Sequence, residues 1–145
     1  MDELQQSRAQ GVALSLFRIV AALLFLQHGL QKLFAFPIPY PFGSTAPFTF
    51  MWFAGVLELV GGLLLLIGLF TRPAAFLLSG MMAVAYFMVH APRGFYPVVN
   101  GGELAIMFCF GFLLLAATGG GAWSADARIS HSQTDRLSAA GISIA

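Results

Sequence analysis

Charge is what this chain of 145 residues has least of: Asp, Glu, Lys and Arg together make up 9% of it. A soluble domain carries about 25%, so this chain has too little charge to cover a water-facing surface. Cysteine is nearly absent as well. The single Cys109 excludes an internal disulfide, a paired-cysteine redox motif and any multi-cysteine zinc site. No phosphate loop of the GxxxxGK type is present, and no internal repeat stands out. The net charge of +1 offers no electrostatic footprint for nucleic acid. Alternation of apolar and polar residues is missing too, which excludes a transmembrane β-barrel. What remains is apolar: 59% of the residues are hydrophobic, 15 are Phe, 16 are Gly, and the mean hydropathy is +0.84. Glycine and aromatic residues are frequent in membrane helices. These features describe a small integral membrane protein with room for one domain and no separate soluble catalytic unit.

A helix crosses the roughly 30 Å hydrocarbon layer with about 20 apolar residues. Four stretches qualify, at about 12–36, 48–70, 73–90 and 101–118. Pro37, Pro39 and Pro41 stop the first, because proline cannot donate the helical hydrogen bond. The second ends at Thr71-Arg72-Pro73, where the residue before proline is driven out of the helical region. Pro73 then suits the first turn of the third, which Ala91-Pro92-Arg93-Gly94 breaks, and Gly119-Gly120-Gly121 ends the fourth. The first stretch is too long for a cleavable leader and carries Arg18, His28 and Lys32, so it reads as a spanning helix. The expected fold is therefore all-α, a bundle of four transmembrane helices. The domain plan is a short cytoplasmic segment at 1–11, a transmembrane domain at 12–118 and a largely disordered cytoplasmic tail at 119–145.

Orientation follows from the distribution of Lys and Arg outside the spans. With both termini on one side, that side carries Arg8, Arg72, Arg128 and Arg136, against Arg93 and the helix-end Lys32 on the other. The termini are thus expected in the cytoplasm, in a multi-pass protein of the cytoplasmic (inner) membrane with the lipid bilayer as its first partner. The opposite loops, with Tyr40, Phe42, Phe95 and Tyr96, read as an aromatic belt or as a lid over a cavity. Trp123 is expected at headgroup level. The polar tail from Ser124 onward shows little apolar periodicity and reads as a mobile extension.

Ionisable residues within membrane spans are costly, about 2.5–3.5 kcal/mol each on insertion scales, and mark functional sites by default. Here they are Arg18, His28, Lys32, Glu58, His90 and Glu103. At 100° per residue Arg18, Ala22, Phe25, Gly29 and Lys32 form one stripe, with His28 on its flank. Glu58 shares a face with Gly55, Gly61 and Gly62, where another helix can approach closely. Ser79, Ala83, Tyr86 and His90 form a third stripe. Alternating helix directions bring His28, Lys32, His90 and Glu103 to one depth, with Glu58 beneath. Glu58 is expected to pair with Arg18 or Lys32, and Arg18 is favoured because its planar fork suits a carboxylate. The plainer reading is that such charges fix helix register, that the glycines serve packing and that Cys109, between Phe108 and Phe110, is a small hydrophobe.

These residues fall into a familiar order. Phe17-Arg18, Gln27-His28-Gly29 with Lys32, Leu57-Glu58-Leu59-Val60-Gly61-Gly62-Leu63, Gly68-Leu69-Phe70-Thr71-Arg72, His90 and Gly102-Glu103 follow one another along the chain. The ending Gly119-Gly120-Gly121-Ala122-Trp123-Ser124-Ala125-Asp126 is similar to a Gly-Pro-Gly-x-x-Ser-x-Asp pattern, with Gly120 in place of the proline. Together they resemble the DoxX family over Leu16 to Asp126. The resemblance implies a four-helix bundle in the cytoplasmic membrane, associated with respiratory or quinone-linked redox chemistry and with oxidative or thiol stress.

Several functions compete at this level. One is a quinone-handling or redox-complex subunit, with Lys32 or His28 donating to a quinone carbonyl and Glu58 or Glu103 accepting from a quinol. It would use a borrowed cofactor and a redox partner protein or a homo-oligomer. Another is a non-enzymatic scaffold or carrier whose buried charges are structural. A metal or haem site on His28 and His90 is disfavoured by the Lys32 charge beside it, and a proton-coupled transporter would need an oligomer.

Overall fold

The computed structural model describes residues 3–41 and 45–139. Phe42, the first two residues of the N-terminal segment and tail positions 140–145 lie outside the described residues. The described residues are helical with irregular connections. Helix α1 is Glu3–Phe34, α2 is Phe50–Ile67, and α3 is Thr71–Ala85, prolonged by a π turn at Tyr86–His90 and a 3₁₀ turn at Ala91–Arg93. A short turn α4, Pro97–Asn100, leads to α5, Glu103–Thr118, and α6 is Ala125–Ala139. Three of these, Glu3–Phe34, Phe50–Ile67 and Thr71–Arg93, are long and apolar enough to cross a membrane. α5 is apolar but shorter, at 16 residues.

The boundaries have local causes. α1 starts nine residues before the expected position 12, because nothing between Glu3 and Val12 breaks a helix and Glu3 favours the positive N-terminal end of the helix dipole. The Thr49 hydroxyl caps α2 by accepting from the Trp52 N–H. Gly68 closes α2 in the left-handed region (φ 74°), and its N–H donates to the Leu64 carbonyl at 2.9 Å. Thr71, rather than Pro73, opens α3, because Asp126 caps the N–H groups of Phe70 and Thr71.

The C-terminal tail differs from its expected disorder. Ala125–Ala139 is helical, and its entry is fixed by Ser124. That hydroxyl donates to the Gly121 carbonyl and accepts from the Ala127 N–H. Ser124 is buried, and the backbone N–H of Asp126 donates to the Gly68 carbonyl. Capping and docking thus supply what the weak apolar periodicity of this stretch withholds.

α1 lies antiparallel against α2, α3 lies against α5, and these two pairs form the bundle. Gly29 and Gly55 set the α1–α2 spacing: a Cβ at Gly29 would stand 2.8 Å from the Leu59 nitrogen. The core holds Phe25, Leu65, Leu78, Phe108, Phe112 and Leu115, with Phe25 edge-on to Phe112 at 4.9 Å between ring centres. Large apolar side chains such as Leu24, Val60, Leu77, Phe87, Phe110 and Leu114 face outward. That distribution suits hydrocarbon rather than water.

Candidate functional site

The α1–α2 register decides which charges meet. Leu26 packs on Gly62, Gly29 on Glu58 and Lys32 on Gly55, so the two helices step in opposite directions. Continuing that register sets Arg18 opposite Leu69, beyond the end of α2 at Ile67. Arg18 and Glu58 are therefore separated along the bundle. Lys32, not the favoured Arg18, is the cation that binds Glu58, with its Nζ donating to Oε1. Arg18 and Lys32 lie fourteen residues, about 21 Å, apart on α1. The polar residues form two sites at opposite ends.

Arg18 is fully buried, and four carbonyls hold it. Its Nε donates to Gly120 at 2.8 Å, Nη1 donates to Leu65 and to Leu66 at 2.6 Å, and Nη2 donates to Trp123 at 3.2 Å. Two of these carbonyls belong to the last turn of α2, where the helix dipole favours a cation. Ser15 completes the arrangement by accepting from the Trp123 N–H and donating to the Gly11 carbonyl. Asp126 sits on the far side of the same turn. Burial pushes its carboxyl up, but hydrogen bonds from the Thr71 and Phe70 backbone and the Arg18 charge outweigh this and hold it below the usual carboxylate range. The Arg18 guanidinium and the Asp126 carboxylate are both met by backbone partners here, although the Thr71 hydroxyl is buried without one, and this end reads as architecture.

The other end encloses a cavity of about 330 Å³ between the two helix pairs. His28, Gln31, Lys32, Tyr40, Glu58 and His90 supply its polar wall, and Phe25, Met81, Met82, Ala85 and Phe108 much of the rest. Glu58 is 2% exposed. Its Oε1 takes Lys32, while its Oε2 is buried with no hydrogen-bond partner. The Lys32 ammonium lies 5.6 Å from the centre of the Tyr40 ring, and the Lys32 carbonyl accepts from the Thr45 hydroxyl. The His28 ring packs edge-on to Phe108. His90 pairs through Nδ1 with the Asn100 carbonyl at 3.1 Å and stacks with Tyr86.

The structure brings His28, Lys32, Glu58 and His90 together around one cavity, as the helical faces suggest. Glu103 departs from that expectation: it is exposed and does not line the cavity. It opens α5 just after Gly102, and its neighbours Leu104 and Ala105 face the cavity instead. Tyr40, expected in an aromatic belt or in a lid over a cavity, lines the cavity, and sequence reasoning missed Asn100. The Asn100 amide donates to the Gly94 carbonyl and accepts from the Gly102 N–H. The Asn-Gly-Gly run at 100–102 was the available signal, because Asn before Gly favours this kind of local turn. Among the described residues no three His, Cys, Asp or Glu side chains stand together as a metal-ligand set. Three lining residues, Phe50, Val84 and Leu104, also belong to the exposed outer face.

The DoxX family model matches residues 13–91, from within α1 to the first residue of the 3₁₀ turn. An uncharacterised protein of Haemophilus influenzae is 47% identical over 119 residues, covering 78% of this chain and 87% of the relative. A second H. influenzae protein is 30% identical over 135 residues, covering 86% and 87% of the two chains. An uncharacterised membrane protein of Mycobacterium tuberculosis is 32% identical over 133 residues, covering 81% of each. No solved structure matches. The matched span holds Arg18, His28, Lys32, Glu58 and His90, and on these grounds the chain belongs to the DoxX family of membrane proteins.

Proposed function

We propose that this protein is a quinone-linked subunit of the cytoplasmic (inner) membrane, crossing it four times with both termini in the cytoplasm. The Lys and Arg distribution supports the orientation. α5 makes the fourth crossing. Its 16 residues extend about 24 Å, and the turns before Glu103 and after Thr118 complete the passage. The cavity then lies in the outer half of the bilayer. Phe50, Val84 and Leu104 carry its wall to the lipid-facing surface, so a lipid-dissolved ligand reaches it sideways without crossing water.

The observation that carries the reading is the Lys32–Glu58 ion pair at the polar end of an otherwise apolar cavity. A quinone head needs an apolar slot for its ring, a donor for its carbonyl and an acceptor for its reduced hydroxyl. Lys32 and Glu58 supply the last two from adjacent helices. His28 and His90 flank them in the cavity wall. Arg18 and Glu103 drop out of the binding set. Electrons come from or go to a redox partner protein, since no nucleotide, flavin or iron–sulfur motif is visible in the sequence. Anaerobic titration of the protein in lipid nanodiscs with a short-tailed quinone tests this. Saturable binding that disappears when Ala54→Phe fills the cavity is the expected result, and the absence of saturable binding by wild type removes the proposal.

A second reading has one observation in its favour. Arg18 shows that a fully buried charge in this bundle is held by backbone carbonyls as a structural clasp. If the Lys32–Glu58 pair is the same kind of element, the protein is a non-enzymatic scaffold or carrier, and substitutions there change melting alone.

A further inference from the structure

We infer that the cavity is built for the reduced, hydroxyl-bearing form of its ligand and discriminates against the oxidised form. This rests on the quinone-class reading above and adds the redox state that the site prefers. The starting point is Glu58 Oε2, which is buried, unpartnered and part of a residue lining the cavity. A carboxylate oxygen in an ion pair only accepts hydrogen bonds. A buried acceptor left unmade is costly, so whatever fills the cavity next to Oε2 does best by donating.

The neighbouring groups leave this need unmet. The Lys32 ammonium is engaged with Oε1. The Asn100 carbonyl can only accept, so the His90 Nδ1 carries the proton in that contact. In the neutral ring Nε2 is then a second acceptor. The His28 ring is set edge-on against Phe108. The Tyr40 hydroxyl is directed at the Met51 sulfur, 3.9 Å away. At Oε2 the wall therefore asks the ligand to donate, while the remaining Lys32 N–H groups and the Gln31 amide can still donate to a ligand oxygen.

A quinone carries two carbonyl acceptors and no donor. Against Oε2 it places oxygen lone pairs on oxygen lone pairs. The corresponding hydroquinone carries two O–H donors on the same ring, and one of them fits Oε2 while its oxygen still accepts from Lys32. The apolar walls of Phe25, Met81 and Phe108 see nearly the same ring in both forms and do not discriminate. One charge-assisted hydrogen bond gained in place of one repulsive contact corresponds to about tenfold in affinity. Tighter binding of the reduced form raises the midpoint potential of the bound two-electron couple by about 30 mV per tenfold. The bound couple is thus poised toward its reduced form, because a quinol held at Glu58 is a weaker reductant than the same quinol free in the bilayer.

The test compares three ligands of one shape on wild-type protein in nanodiscs under anaerobic conditions. They are a decyl-tailed benzohydroquinone, its benzoquinone, and the same ring with fluorine in place of both hydroxyls. The expected result is a hydroquinone bound about tenfold tighter than the other two, with the difluoro ring no better than the quinone. In Glu58→Gln the amide can donate its own N–H, so the preference should vanish or reverse. Equal affinities for hydroquinone and quinone overturn this inference while leaving the quinone-class reading in place. A difluoro ring as tight as the hydroquinone also overturns it, and so does a Glu58→Gln protein with its preference intact. If neither redox form binds, both readings fall. The ligand series needs no variant, so it decides the matter even if Glu58→Gln does not fold.

Discussion

Arg18 and Asp126 hold the two sides of one tight turn. The Arg18 guanidinium takes the Leu65 and Leu66 carbonyls at the end of α2. Five residues on, the Asp126 carboxylate takes the N–H groups of Phe70 and Thr71 at the start of α3, at 2.9 and 2.8 Å. A cation at a helix C-terminus and an anion at the next N-terminus each complement the local dipole. The two side chains come from α1 and α6, so one turn ties four helices together.

Replacing Arg18 should therefore act on stability. Arg18→Gln strips the charge from a fully buried cage and orphans several carbonyls, at a cost of about 3 kcal/mol. Arg18→Lys keeps the charge but loses the planar fork that spans carbonyls on two segments, and should fall between wild type and Gln. Thermal unfolding in detergent ranks the three. Wild-type melting of Arg18→Gln would mean that the cage carries no load.

Asp126 makes the same turn sensitive to acid. Its folded-state pKa lies below the usual carboxylate value, so its contribution is full above the ordinary pKa near 4 and is lost as pH falls through the lower, folded value. Asp126→Asn should cost about 1 kcal/mol at pH 7, the worth of a helix cap. The gap between variant and wild type should narrow as pH falls through the folded-state value and close below it. Melting curves followed from about pH 7 down to the acid limit of folding provide the check, and a constant gap would contradict the capping role.

The helices were legible because their causes are local: apolar runs, prolines at 37, 39 and 41, and glycines at 119–121. The shared faces were legible too, because Gly55, Glu58, Gly61 and Gly62 sit at helical spacing and are all buried. Which cation meets Glu58 was not. That choice depends on the register between α1 and α2, which a glycine contact sets and no single-helix pattern encodes. Arg18 was misassigned because a planar fork can equally be satisfied by carbonyls, and those lie at 65–66, 120 and 123, far away in sequence. α6 was missed because its stability comes from docking Ser124 and Asp126, while its own sequence is polar.

Close approach of α1 and α2 can be probed at Gly29. A methyl group there would meet the Leu59 nitrogen at 2.8 Å and the Gly55 oxygen at 3.0 Å, both backbone atoms that cannot rotate away. Gly29→Ala should push the helices apart and cost about 1–3 kcal/mol. Gly80, with open space around it, is the control, and Gly80→Ala should be neutral or slightly stabilising. Equal melting of the two variants would count against the packing argument.

The Lys32–Glu58 pair permits the sharpest separation of structure from function, through a double-mutant cycle. Lys32→Met alone leaves a carboxylate that is 2% exposed without its cation, which should cost about 3–5 kcal/mol. Glu58→Gln alone is milder, because the Lys32 side chain is 11% exposed and its long stem can carry the ammonium toward the surface. The double variant Lys32→Met/Glu58→Gln removes both charges together and should regain most of the loss, as replaced buried ion pairs often do. Quinone binding should behave differently. The double variant lacks the donating ammonium and the charged acceptor, so its titration should show no saturable site even though it melts near wild type. Restored melting with binding retained would instead assign the pair to register alone, leaving the apolar slot to hold whatever enters it.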